Sequence, residues 1–119
     1  MITRETEFMT YFEEKIALCS QRERELIADA RADEANFEKI RANVYDIFRT
    51  VYTAGKRAKK DDTLVKEFFL ARMEQIPQNW VTALEKAKQH NDVRAVQIET
   101  IKCNTADEIK AVFKKLWEE

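Results

Sequence analysis

The sequence predicts an all-α antiparallel bundle of four to six helices, and three observations carry that prediction. The chain of 119 residues holds one glycine and one proline, whereas hairpin turns and phosphate-cradling loops need several residues at positive φ, which only glycine adopts cheaply. Its hydrophobic fraction is 45% and its net charge is −1, a balance that supplies a core and disfavours charge-driven disorder. From Met9 to Ala54 mostly apolar residues recur in an unbroken heptad phase, the pattern of helix with one seam turned toward its neighbours. The length suits one domain over residues 1–119.

The seam runs through Met9, Phe12, Ile16, Cys19, Glu23, Leu26, Ala30, Asp33, Phe37, Ile40, Val44, Ile47, Val51 and Ala54. As one helix it would be about 69 Å long at ~1.5 Å per residue, against a radius of gyration of about 13–14 Å for a compact chain of this size. The register therefore either breaks or belongs to an elongated dimer. Ser20-Gln21-Arg22-Glu23 has the form of a capping box and offers a bend. Asp33, followed by Glu34 and then by the apolar period from Phe37, is the stronger helix start, so the main break is expected at Arg31–Asp33.

The second helix then spans Asp33 to Ala54, with Gly55 as a left-handed C-cap. Lys56 to Asp62 reads as a polar connection. Asp61 and Asp62 suit the start of a third helix carrying Leu64, Val65, Phe68, Phe69, Met73 and Ile76, and Pro77 ends it or opens the fourth. The fourth carries Trp80, Val81, Leu84 and Ala87 and closes at His90-Asn91-Asp92. Two last helices are expected at 92–102 and 105–117, the latter from the box Thr105–Glu108, with fusion into one helix as the alternative. Val96 and Ile98 also alternate as in a strand, which would have no partner here. The expected core is Phe12, Ile16, Leu26, Phe37, Ile40, Val44, Ile47, Val51, Leu64, Phe68, Leu84, Ile109, Val112, Phe113 and Leu116.

Several chemistries lose their footing on composition. No apolar run is long enough to span a membrane, and the first residues lack a secretory leader's apolar stretch, so a cytoplasmic setting is expected. Cys19 and Cys103 are far outside metal or redox spacing and read as free thiols. His90, the one histidine, cannot supply the paired ligands of a di-iron bundle, and two distant cysteines do not complete a zinc site. Neither metal nor cofactor is expected. Ser20, the one serine, has no strained nucleophile turn around it. No catalytic residue is assigned; a helical enzyme acting on an anion would draw first on Arg41, Asp46 and Arg49.

Two features point to partners. Tyr45, Phe48 and Tyr52 form a stripe beside the seam of the second helix, which makes that helix either central, touching neighbours on two sides, or the bearer of a partner face. Arg49, Lys56, Arg57, Lys59 and Lys60 concentrate positive charge with no acid between Ile47 and Lys60. They are candidate anion contacts, or else a solvated segment that complements the negative end of the second helix. The functional expectation is a small protein-interaction module, self-associating through its long N-terminal helices, with a second copy or another helical protein as partner. Anion or nucleic-acid binding through residues 49–60 is the alternative, followed by a helical-bundle enzyme.

Overall fold

A computed structural model describes residues 3–118. Five helices follow one another: α1 (Arg4–Ala28), α2 (Ala32–Ala58), α3 (Asp62–Gln75), α4 (Gln78–Gln89) and α5 (Val93–Trp117), with no strand among the described residues. The fold is an all-α bundle, as its composition requires. Because α3 and α4 meet at Ile76–Pro77, where the backbone stays in the right-handed helical region, they run as one kinked arm. α1 and α2 are antiparallel, pairing Glu5 with Lys56 and Tyr11 with Tyr45. The α3–α4 arm returns along α5, with Phe69 on Phe113 and Trp80 beside Lys102. α2 and α5 run the same way, since Asp33, Tyr45 and Tyr52 meet Arg94, Glu108 and Trp117 in turn.

The helix ends explain how a chain with one glycine turns corners. α1 closes in a Schellman motif: Arg31 N–H donates to Leu26 O at 2.8 Å and Ala30 N–H to Ile27 O at 3.0 Å, with Ala30 at φ 58°. α4 repeats it, with Asp92 N–H on Ala87 O, Asn91 N–H on Lys88 O, and Asn91 at φ 55°. Asp92 then caps α5 by accepting from Ala95 N–H, and Asp61 caps α3 by accepting from Thr63 N–H. The first break falls at Asp29–Arg31, two residues before the acid expected to mark it.

Gly55 is not a C-cap. It lies inside α2 with no positive φ, and a Cβ built on it would stand 2.8 Å from the Phe68 ring. Its function is therefore close packing of α2 on α3. Neither capping box acts as one either. α1 passes unbroken through Ser20, and α5 passes through Thr105, whose hydroxyl donates back to Ile101 O at 2.7 Å. The final stretch is accordingly one helix.

Phe12, Cys19 and Val44 of the expected seam are buried, as are Ile109 and Phe113 of the expected core, but much of the remaining burial lies one or two positions off the seam. Phe8, which the seam omits, is fully buried and stacks against Phe12, Tyr52, Phe69, Phe113 and Trp117 with ring centroids 4.6–5.5 Å apart. Val65, Met73 and Trp117 also join the core. Ile47 and Leu64 are 38% and 48% exposed, because no helix covers that side of α2 or the outer side of α3.

The backbone placement makes two opposite predictions. Ala30→Gly relieves a left-handed alanine and should stabilise the chain by about 1 kcal/mol. Gly55→Ala should destabilise it despite a helix-propensity gain of about 1 kcal/mol, because overpacking costs about 1–3 kcal/mol. In a Phe68→Leu background the Gly55→Ala penalty should disappear. Denaturant melts of the four variants check both signs.

Candidate functional site

The aromatic stripe is settled by burial. Tyr45, Phe48 and Tyr52 are 4%, 0% and 2% exposed, and they face α1, α3, α4 and α5 rather than solvent. They cannot form a partner face on the folded chain. α2 is central, so its apolar arc must be wide enough to satisfy neighbours on two sides.

One polar knot sits beside this core. Glu108 of α5 accepts hydrogen bonds through Oε2 from the hydroxyls of Tyr11 and Tyr45, the latter at 2.8 Å, and so ties α1 and α2 to α5. A turn earlier in α2, Arg41 pairs with the buried Glu38, whose second oxygen has no partner among the described residues. Arg41, Tyr45, Asn104 and Glu108 line a cleft of about 130 Å³. Burial pushes the Cys19 thiol above its ordinary range, and the nearby Glu38 carboxylate adds to the effect. Cys19 is therefore held as a thiol, the opposite of what nucleophilic catalysis demands. Burial likewise raises all three tyrosines above their ordinary value, with Glu108 adding to the shifts of Tyr11 and Tyr45. This knot is built to hold helices together.

The residues suggested for an anion-directed enzyme do not converge. Arg49 pairs with Asp46 on the surface of α2, whereas Arg41, about 12 Å away at ~1.5 Å per residue, pairs with Glu38. Ser20 lies mid-α1, and His90 is the exposed C-cap of α4. Among the described residues no three acid, cysteine or histidine side chains gather as metal ligands.

The basic segment divides in two. Lys56 is paired with Glu5 at 2.8 Å and Arg49 with Asp46, whereas Arg57, Lys59 and Lys60 form no ion pair among the described residues. Arg57 also belongs to a groove that sequence reading missed. Two adjoining depressions of about 380 and 360 Å³ run along the outer face of the α1–α2 hairpin and share Met9, Glu13 and Thr53. Thr6 and Thr10 on α1 and Thr50, Thr53 and Ala54 on α2 keep its walls low. The α1 wall carries Glu5 and Glu13; the α2 wall carries Arg49, Lys56 and Arg57. A sequence signal existed in the small residues spaced along both helices, but it has meaning only once the two helices are paired. A larger depression of about 490 Å³ beside Pro77 is bridged internally by the Glu74–Lys110 pair, and the Lys110 hydrogen bond holds the Glu74 carboxyl below its ordinary range. Two of its three charged side chains thus neutralise one another, leaving Asp107.

Compared with protein-family models, curated proteins and solved structures, the chain matches none at a significant level. No helix among the described residues is long and apolar enough to cross a membrane.

The tyrosine environment sets an alkaline limit on stability. A group whose folded pKa is raised stabilises the fold fully below its unfolded value, near 10 for tyrosine, and loses that contribution as pH climbs toward the folded value. Stability should therefore fall steeply above about pH 10. Tyrosinate absorbance should rise together with loss of helical circular dichroism. Tyrosinate appearing in a fully helical chain near pH 10 would contradict the burial of these hydroxyls.

Proposed function

We propose that the chain is a protein-interaction module whose docking surface is the outer groove of the α1–α2 hairpin. The observation that carries this reading is an open groove with an apolar floor at Met9 and opposite charges on its two walls, Glu13 and Arg57, which form no ion pair among the described residues. Low threonine and alanine walls allow a helix to approach two others within the usual 8–10 Å. Burial of the floor supplies affinity at roughly 25 cal/mol per Å², and the charged walls supply register and orientation. We infer a cytoplasmic setting, which the two free thiols support.

A second reading is anion binding by Arg57, Lys59 and Lys60, favoured by their lack of acid partners among the described residues. Its signature is oligonucleotide affinity that falls steeply with salt; a flat fluorescence titration with single- and double-stranded probes disposes of it.

The docking reading is tested in cells with a photo-reactive side chain at Thr50 in the groove and a control at Lys88 on α4. Adducts to a polypeptide are expected from Thr50 alone. Equal labelling from both positions, or none from Thr50, overturns it.

A further inference from the structure

We propose that the groove's occupant is a second copy of this chain, docked about a twofold axis running along the groove. This rests on the interaction-module reading and narrows it to one partner. The two walls are opposite in sign: Glu13 stands on α1, and Arg49 and Arg57 stand on α2. An isologous interface pairs a surface with itself, so the direction of the axis decides which walls meet. An axis across the helices would lay α1 on α1 and α2 on α2, setting acid on acid and base on base. An axis along the groove lays α1 of each copy on α2 of the other, so the acidic wall meets the basic wall twice. Charge selects the second arrangement.

Heights along the helices agree with it. Glu13 and Arg49 line the same depression, and an axis along the helices leaves heights unchanged, so Glu13 of one copy comes level with Arg49 of the other. Among the described residues Arg49 pairs with Asp46 alone, three residues away on the exposed surface, a pairing worth little in solvent. Met9, on the floor shared by both depressions, lies on the seam between copies, where its flexible thioether fills an irregular gap. The lining of the two depressions runs from Glu5 to Glu13 on α1, about 12 Å of helix, so charge pairing rather than area selects the occupant.

Complementary charge reversal tests the arrangement. Light scattering should find the wild-type chain dimeric. Glu13→Arg, which sets a base against Arg49 and Arg57 of the other copy, and the double variant Arg49→Glu/Arg57→Glu, which sets acids against the other copy's Glu13, should each dimerise at least about tenfold more weakly. All these sites lie on the surface of helices, and unchanged thermal melts at low concentration would confirm that the fold is kept. An equimolar mixture of the two variants should restore the dimer, because each α1 wall then meets an opposite α2 wall. A wild-type monomer at the highest soluble concentration, variants that dimerise as well as wild type, or a mixture that stays monomeric overturns the proposal. A monomer that still gives Thr50-specific adducts to a different polypeptide defeats the second-copy inference and leaves the interaction reading standing; absence of both removes both.

Discussion

The bundle depends on the burial of one side chain, Phe8. Its ring lies within 5.5 Å of rings from α2, α3 and α5 as well as its neighbour Phe12, so four helices converge on a single position in the second turn of α1. Edge-to-face and tilted contacts of this kind add about 0.5–1.5 kcal/mol each beyond area burial, and their geometry fixes the helices' mutual rotation as well as their proximity. Arg4 over the Trp117 ring, at 5.1 Å from its centroid, covers the end of the cluster.

An asymmetry follows from placing the cluster at one end. Beyond Cys19, α1 contributes no buried residue, and the distal half of the hairpin is held by small and polar groups: Ala35, Ala42 and the Glu38–Arg41 pair. The Tyr11–Glu108–Tyr45 knot sits between these regimes and gives the hydroxyls of the half-buried Tyr11 and the buried Tyr45 an acceptor. It also keeps α5 alongside the hairpin where the aromatic packing thins out. The buried residues of α1, from Phe8 to Cys19, all turn to the inner face of the hairpin, and the outer face stays open. The same constraint that buries Tyr45, Phe48 and Tyr52 leaves Met9, Glu13, Arg49 and Arg57 lining the outer groove.

Helical periodicity was legible throughout, yet its phase was not. In α1 the seam held the buried Phe12 and Cys19 but passed one position from Phe8 at Met9, and in α2 the Val44–Ile47–Val51 stripe, of which Val44 alone is buried, stood beside the buried Tyr45–Phe48–Tyr52 stripe. Successive helical residues differ by about 100°, so an apolar arc wide enough for two neighbours has no unique centre until the neighbours are placed. The capping signals show a related limit. Ser20 and Thr105 carry the residues of a box, but a box caps only where the chain leaves the helix, and continuous packing on both sides kept these turns closed. Gly55 was legible as a special position and misread in kind, since the need for a missing Cβ comes from Phe68 on another helix.

Local chemistry determined the class of fold and most of its corners. A chain with one glycine and one proline is confined to helices; Asp61 and Asp92 cap by reaching backbone N–H groups two or three residues on; Pro77 marks the kink; and the break after α1 falls within a few residues of Asp33. These are interactions within one turn, and the sequence states them directly. The tertiary structure alone decided which stripe became core, which cations were neutralised and where a groove opened. Those outcomes rest on pairs such as Tyr11 with Glu108, 97 positions apart, and Tyr45 with Glu108, 63 apart. Burial and charge pairing are properties of surfaces that meet, and no local pattern specifies the surface on the other side.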